Sequence, residues 1–196
     1  MVRKVVRYPT AVLRAKCRPI AGVTEAVRTL ATDMLETMRE EHGVGLAAPQ
    51  VAEDVQLTVI DVSGSSLPTT VFKINGEDKP LAEHMPLIIL NPTIELGKAK
   101  VTDEEGCLSF PDLRGQIRRS ADVKVTFQNL EGETVTIETD GLLARAFQHE
   151  IDHLNGILFI DRMSPAAKIS LKRKLKRHME EWAEEDEEER RKQKSA

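Results

Sequence analysis

Aromatic residues are scarce in this chain of 196 residues, which has five Phe, one Tyr and one Trp. At 40% apolar and 31% charged residues the chain can bury the core of one ordinary domain, but that core must be aliphatic. The longest stretches without Asp, Glu, Lys or Arg are eleven residues long, at 42–52, 62–72 and 84–94. Because a membrane span needs about twenty apolar residues, the sequence predicts no transmembrane helix and no membrane partner.

Cysteine is rare as well, since Cys17 and Cys107 are the two in the chain. Two cysteines are too few for a disulfide framework. Residues 1–7 carry no apolar run behind their charges, which argues against a secretory signal and predicts a cytoplasmic protein with reduced thiols. The formal net charge of −4 gives no general basis for binding DNA, so no DNA partner is expected.

Hydrophobic periodicity predicts a few helices and several strands. Apolar residues at spacings of three and four indicate a helix over 24–42, and a second helix over 141–155 is apolar on almost every side, with Asp140 placed to cap it. A third helix is expected from Ser164-Pro165. Strand-like runs occupy 55–62, 87–96, 122–129 and 133–138, the last two as a hairpin, and residues 63–86 are predicted to be a long loop with a small hairpin inside it.

The strongest chemical signal is His149-Glu150-Ile151-Asp152-His153, inside the second predicted helix. Residues four apart project from one helix face, so the two imidazoles can bind one cation. Glu150 follows the first ligand and can move protons on a water molecule at the metal. The alternative is a chance pattern with two surface histidines, which fits poorly with so apolar a helix.

The third ligand decides which kind of metal site this is. The extended metzincin pattern requires a histidine at position 159, where this chain has Phe159, so that class is excluded. A downstream glutamate from the acid-rich tail stays open as a ligand. A better candidate is Cys107 in Glu105-Gly106-Cys107-Leu108-Ser109, because a thiolate is a strong ligand for a borderline cation; we place it just after a strand, in a turn. Cys17 is interpreted as a small buried hydrophobe.

A run of small residues, GVGLAAPQ at 43–50, forms the third motif. Its glycines allow a ligand to approach the backbone closely. Gln50, at its end, can donate a hydrogen bond to a developing oxyanion.

GVGLAAPQ, EGCLS and HEIDH, in this order, resemble the three signature motifs of the peptide deformylases, and the resemblance extends from about residue 1 to 177. It implies hydrolysis of the N-formyl group from the formyl-methionine of nascent polypeptides, with release of formate. It also implies that Cys107, His149 and His153 bind the metal and that Glu150 is the proton shuttle. The remaining roles that it implies are an oxyanion site at the Gln50 amide and the Leu108 N–H, and substrate contacts from Gly43, Val44, Gly45 and Ala146. Arg114 matches a family arginine, and we expect it to contact the substrate and to pair with Glu105.

The fold that follows is α+β: a single domain with antiparallel or mixed sheets around a central metal-binding helix, and a C-terminal helix. One divalent metal ion is the expected cofactor. The resemblance implies Fe²⁺ as the physiological ion, and purified protein can carry Zn²⁺, Ni²⁺ or Co²⁺ instead.

We expect a catalytic domain over 1–183, with its last helix from about 164, followed by a charged, disordered tail over 184–196. The last helix carries a basic cluster, which predicts a contact with ribosomal RNA: Lys168, Lys172, Arg173, Lys174, Lys176 and Arg177. The simpler alternative for this cluster is a solvated helix face. Two other functions remain open, a zinc peptidase or other amidase and a catalytically silent, ribosome-associated binding module.

Overall fold

The computed structural model describes residues 1–194, without the side chains of residues 186, 189, 190 and 192–194. This part of the chain contains nine strands and four α-helices. The helices are α1 (Glu25–Glu40), α2 (Gly141–Leu154), α3 (Phe159–Arg162) and α4 (Pro165–Lys194). The strands are β1 (Gly45–Ala47), β2 (Leu57–Ile60), β3 (Phe72–Ile74), β4 (Glu77–Asp78), β5 (Leu87–Leu96), β6 (Lys100–Cys107), β7 (Phe110–Ser120), β8 (Asp122–Gln128) and β9 (Thr134–Asp140).

Within this described part, seven strands form one sheet in the order β1-β2-β5-β8-β9-β3-β4, and β6 and β7 form a second sheet. The strand pairs are antiparallel. The hairpin expected from the alternation of apolar residues is β8–β9, where Val125 lies opposite Ile137 and both are fully buried. The α+β prediction is confirmed, and so is the small hairpin within 63–86, which is β3–β4.

The second sheet is the main feature that the sequence analysis missed. Cys107 does not follow a strand in a turn, as we expected; it is the last residue of β6. The outward face of β6–β7 is charged and exposed along most of its length, so the pattern lacks the apolar alternation that identifies a half-buried strand. This hairpin carries Cys107 to the centre of the molecule.

Helix α2 lies in the core between the two sheets. Its side chains Leu143, Ala144 and Phe147 are fully buried and pack against residues of β2, β5, β8 and β9. An ordinary residue is strained at position 141, where φ is +58°, so glycine permits the sharp entry into the helix.

The start of α2 is stabilised by a distant loop rather than by its own cap. Asp140 makes no capping hydrogen bond from its side chain, contrary to the sequence analysis. Its carboxylate accepts instead from the backbone N–H groups of Thr70 and Val71, at 2.7 and 2.9 Å. The first N–H groups of the helix donate in turn to the Pro68 carbonyl and the Thr69 hydroxyl. Residues 68–71 therefore hold the beginning of the helix that carries both histidines.

Helix α4 docks on the body through one narrow stripe, as its sequence pattern predicts. Leu171, Leu175, Met179 and Trp182 pack on a cluster that includes Phe110 and Phe159. The helix runs through residues 184–194, and the division into a catalytic domain and a tail at residue 183 remains a prediction. None of the helices in the described residues combines the length and apolar composition that crossing a membrane requires.

Candidate metal centre and active site

Three residues from two elements converge beside the buried face of α2. His149 and His153 lie one helical turn apart on α2, and Cys107 comes from the end of β6. One potential ligand atom from each lies within 4.8 Å of the other two. The Cys107 Sγ and the His153 Nε2 are 3.3 Å apart. The structure therefore brings together the three residues that the motifs indicate.

The donor set fits a divalent cation. Metal–sulfur and metal–nitrogen bonds of about 2.3 and 2.0 Å in a tetrahedral site place ligand atoms about 3.5 Å apart, close to the observed sulfur–nitrogen separation. One thiolate and two imidazoles suit Zn²⁺, Fe²⁺, Co²⁺ or Ni²⁺ better than the hard cations Mg²⁺ and Ca²⁺. The Nδ1 atom of His153 is buried and has no hydrogen-bond partner within the described residues.

Glu105 orients the first histidine. Its Oε2 lies 3.0 Å from the His149 Nδ1, which leaves Nε2 as the nitrogen available to a metal. The carboxylate is also held by Arg119, whose Nε and Nη2 donate at 2.9 Å, and by Arg145 Nη1 at 2.7 Å. Burial raises the pKa of Glu105, but the hydrogen bonds from His149 and Arg119 outweigh burial and lower it far below its ordinary value. Glu105 is therefore a permanent anion beside the ligand.

Further ion pairs link Arg119 to residues that lie away from the candidate metal centre. Arg119 also donates to Asp152, and Asp152 accepts from Arg162 at 3.0 and 2.6 Å. Arg119, Glu105 and Asp152 are all buried. We call Arg162, Asp152, Arg119, Glu105 and Arg145 the buried ion network; it ends on the Nδ1 atom of His149.

The two histidines differ in their electrostatic surroundings. Burial lowers the pKa of His149, but hydrogen bonds with Cys107 and Glu105 outweigh burial and raise it well above its ordinary value. Burial lowers the pKa of His153, and the charge of His149 lowers it further. Without a metal, a proton occupies this group of donors, so a cation must displace it on binding.

Glu150 lies next to the ligands with its carboxyl group in a confined space. The side chain is 4% exposed, and its Oε2 has no hydrogen-bond partner within the described residues. Burial raises the pKa of Glu150 to about 7. A Cβ atom on Gly45 would come within 2.8 Å of the Glu150 Cδ, so glycine is required there. Because Gly45 has no side chain, it leaves space for Glu150, the catalytic candidate. The position of Gly45 in its motif did not indicate this role.

Gln50 is fixed at one end and directed at the site with the other. Its Oε1 accepts from the Ala47 N–H at 2.9 Å, while its Nε2 lies 3.5 Å from the Cys107 Sγ and 3.4 Å from the Ser109 Oγ. Leu108 and Ser109 form the two-residue connection between β6 and β7. This geometry leaves an amide donor and the backbone of Leu108 beside the cysteine.

A cavity of about 290 Å³ opens onto these groups. It is lined by all the residues expected to contact the substrate, Gly43, Val44, Gly45, Ala146 and Arg114, and by Gln50, Cys107, Leu108, His149 and Glu150. A Cβ atom on Gly43 would lie 2.9 Å from the Leu108 Cδ1, so Gly43 lets the two walls approach each other. Leu142 adds an apolar surface to the cavity.

The family model described as polypeptide deformylase matches residues 2–168. The chain belongs to the polypeptide deformylase family. It is 46% identical over 177 residues to a peptide deformylase of Methylacidiphilum infernorum, covering 90% of this chain and 93% of that one. A peptide deformylase of Acidobacterium capsulatum is 41% identical over 177 residues, covering 90% and 95%.

Solved structures of polypeptide deformylases share the fold. The enzyme from Legionella pneumophila superposes with a TM-score of 0.78 at 34% identity and covers 93% of this chain and 98% of its own. The enzyme from Thermotoga maritima gives a TM-score of 0.71 at 38% identity, covering 84% and 99%. The α+β architecture described above is thus that of the polypeptide deformylase family.

The predicted pairing of Arg114 with Glu105 is wrong. That side chain is exposed and lies 3.7 Å from Glu104, whereas Glu105 pairs with Arg119 and Arg145. A signal for Arg145 was present, because an arginine four residues before His149 in an otherwise apolar helix indicates a buried ion pair. Arg119 gave no comparable signal, because the adjacent Arg118 is exposed and the sequence does not distinguish the two.

Proposed function

We propose that this member of the polypeptide deformylase family hydrolyses the N-formyl group of nascent polypeptides that begin with formyl-methionine, releasing formate. We also propose that Cys107, His149 and His153 hold the divalent metal that the reaction needs. The observation that carries the proposal is the convergence of these three donors, two of which, Cys107 and His149, line one cavity with Glu150 and Gln50. When bound, such a cation acts as a Lewis acid and lowers the pKa of water to about 7.

Glu150 moves the proton. A carboxyl group accepts and releases protons best when its pKa is near the working pH, and burial places the pKa of Glu150 at about 7. Its Oε2, which has no hydrogen-bond partner among the described residues, can accept a proton from the attacking water. The same carboxyl then donates that proton to the amine that leaves as the formyl C–N bond breaks.

Gln50 and Leu108 stabilise the negative charge that develops on the formyl oxygen. The Gln50 amide is oriented in advance by its bond to Ala47, so the reaction does not have to reorganise it. Losing one such donor typically costs about 3–4 kcal/mol of barrier. The backbone N–H of Leu108 supplies the second donor from the β6–β7 turn.

The cavity accounts for selection of the substrate. Gly43, Val44, Leu142 and Ala146 give an apolar wall for the methionine side chain, and Gly45 allows the substrate backbone to approach. A formyl carbon carries only hydrogen, so the crowded surroundings of Cys107 and the two histidines exclude the methyl group of an acetylated peptide.

Fe²⁺ is the ion that we propose for the cell, with Zn²⁺, Ni²⁺ or Co²⁺ as substitutes in purified protein. The single thiolate and two imidazoles bind all four ions, and availability rather than affinity decides among them. Activity of the iron form should fall on exposure to air, whereas the nickel form should stay active, with metal content measured in the same samples.

A contact with the ribosome is a further part of the proposal. Lys172, Arg173, Lys176 and Arg177 are exposed on α4, away from the stripe that docks on the body. Replacing all four with Glu should spare hydrolysis of a short formyl-peptide and abolish cosedimentation with ribosomes at low salt. Intact cosedimentation would reduce the cluster to a solvated helix face.

The central experiment compares a formyl-Met peptide with its acetyl twin, under argon, with metal analysis of the same sample. We expect formate at a rate proportional to metal content and no reaction with the acetyl peptide. Cleavage inside an unformylated peptide would identify a peptidase instead. Protein without stoichiometric metal and without formate release would favour a silent binding module.

A further inference from the structure

A second cavity, of about 400 Å³, opens on the surface between the end of β5, the β6–β7 hairpin and α2. Among the described residues, those lining it are entirely different from those lining the active-site cavity. Four cations line it, Lys100, Arg118, Arg119 and Arg162, together with a single carboxylate, Asp152. We call this cavity the basic cleft.

The inner wall of the basic cleft is preformed. Four polar side chains form it and are all buried: Arg119, Ser120, Gln148 and Asp152. The Gln148 amide accepts from the Ser120 N–H at 2.9 Å and donates to the Ser120 carbonyl at 3.0 Å. Asp152 is already shared by Arg119 and Arg162. This wall therefore needs no ligand, and it holds the surrounding cations in place.

The rim of the cleft carries positive charge without a matching anion. Lys100 lies opposite Ser120, and Thr102 lies opposite Arg118, so Lys100 and Arg118 are diagonal neighbours on one face of the hairpin. The Lys100 Nζ donates to the Ser120 Oγ at 2.6 Å. Neither cation forms an ion pair with a carboxylate in the part of the chain that the structure describes. The Arg162 side chain is 44% exposed, and its bonds to Asp152 do not use all of its N–H groups.

The rest of the lining is aliphatic. Ile94, Ile151 and Leu96 contribute apolar surface, and Leu96 is 55% exposed, which is unusual for a leucine in an otherwise charged surrounding. The cleft has no aromatic side chain among its lining residues, so it offers no platform on which a nucleobase could stack. The complementary ligand has an anionic head and an aliphatic body.

We propose that the basic cleft binds a phosphate monoester, with the phosphate between Lys100, Arg118 and Arg162 and the carbon chain on Ile94, Leu96 and Ile151. Guanidinium groups match the geometry of phosphate oxygens, and a dianion is needed to balance this excess of positive charge. A cavity of 400 Å³ is too large for inorganic phosphate alone and has room for an aliphatic substituent.

The test uses n-butyl phosphate, inorganic phosphate and butanol as probes of the zinc-loaded protein, which is diamagnetic. Methyl NMR signals of Ile94, Leu96 and Ile151 report binding. We expect butyl phosphate to bind more tightly than inorganic phosphate, butanol to leave the signals unchanged, and added salt to weaken binding. Because binding is read from the cleft itself, the outcome does not depend on the proposed function.

Lys100→Met with Arg118→Met removes two charges while keeping two unbranched side chains. Lys172→Met with Arg173→Met, on exposed α4, is the matched control. The cleft variant should bind butyl phosphate at least tenfold more weakly and the control equally well, while both hydrolyse a formyl-Met peptide at the normal rate, which verifies folding. Equal binding of butyl phosphate by the unchanged protein and both variants, or equal affinity for butyl phosphate and inorganic phosphate, would overturn the proposal and leave an adventitious anion surface only.

Discussion

Helices α2 and α4 carry their charged residues in opposite ways. In α2, Glu150 and Asp152 are buried, and Asp152 and Arg145 belong to the buried ion network. In α4, the charges are exposed and pair along the helix surface, as in Lys176–Glu180 at 3.9 Å and Arg177–Glu181 at 3.5 Å. Helix α4 packs on the body through an apolar stripe, and its polar contacts with the body come from exposed side chains, as in Lys174 to the Asp112 carbonyl at 3.1 Å and Glu185 to Arg7 at 2.6 Å.

The comparison separates charges that a fold requires from charges that it tolerates. Removing one member of a buried pair leaves its partner unpaired in a low dielectric, which costs about 3–5 kcal/mol. A surface pair spaced four residues apart contributes only about 0.3–0.5 kcal/mol.

Cys107→Ala should remove metal and activity together, because it deletes one of three ligands. Cys17→Ala is the matched control: burial, with a smaller effect of Asp54, raises the pKa of that thiol to about 11, so it is inert and should be dispensable. Metal analysis and formate release on the same samples measure both. Normal metal content in Cys107→Ala would disprove the ligand assignment.

Glu150→Gln should keep its metal and lose most turnover, since general acid–base catalysis contributes about 10²–10⁴-fold. The substitution keeps the size of the side chain and removes the group that titrates. Steady-state kinetics at full metal occupancy measures the loss. If turnover stays near normal, another residue moves the proton.

Arg119→Met should destabilise the protein by about 3–5 kcal/mol and weaken metal binding about 10–100-fold, because Glu105 then no longer holds His149 firmly. The lowered pKa of Glu105 contributes stability above its ordinary value of 4.5, and this contribution is lost as the pH falls through the native pKa. Without Arg119 the native pKa rises, so acid unfolding should begin at a higher pH.

Denaturant unfolding at several pH values and competition with a chelator measure these effects. Arg118→Met, at the exposed neighbouring position, is the control and should behave like the unchanged protein. Equal acid stability of the two variants would show that the network does not stabilise the folded state.

Trp182→Ala should cost about 3–5 kcal/mol, since Trp182 is 5% exposed and is part of the cluster beneath α4. Turnover of the protein that remains folded should not change, because Trp182 lies outside the active-site cavity. Thermal unfolding and kinetics at low temperature separate the two effects. A fall in turnover at full metal occupancy would show that the docking of α4 affects the site.

Arg177→Ala should change the free energy of unfolding by no more than about 0.5 kcal/mol and leave hydrolysis of a short peptide unchanged. Deleting residues 184–196 should likewise spare that activity. Chemical denaturation and formate release measure both variants. An effect as large as that of Arg119→Met would contradict the comparison between the two helices.

The parts of the fold that were predicted have strong periodic patterns. Apolar residues form a stripe along α1, cover most faces of α2 and alternate with polar residues in β8 and β9. These patterns arise because the core buries those residues, so they can be recognised in the sequence. The β6–β7 hairpin was not predicted because its outward residues, such as Lys100, Glu104 and Arg118, are exposed and charged. Its inward residues Phe110, Leu113 and Ile117 are buried, but they are spaced three and four positions apart and so do not give the alternation that identifies a strand.

The candidate site likewise has parts that could be predicted from the sequence and parts that could not. The proximity of Cys107, His149, His153, Glu150 and Gln50 could be predicted because they occupy motifs that resemble those of a family, while their roles remain a prediction. The connections from Glu105 to Arg119 and from Asp152 to Arg162 could not be predicted, since they join separate elements through side chains that any charged surface could carry. The role of residues 68–71 at the start of α2 depends on contacts about seventy positions apart in the chain, and no local pattern records these.

The order of the three ligands along the chain has a consequence for biosynthesis. Cys107 precedes His153 by 46 residues, and α2 also needs the carbonyl and hydroxyl of the earlier loop before its first turn is satisfied. While the chain is being made, Cys107 therefore exists as a thiol without its two imidazole partners. If these three residues hold the metal, as we propose, the complete donor set exists only after synthesis has passed His153, so the site cannot be filled before that point.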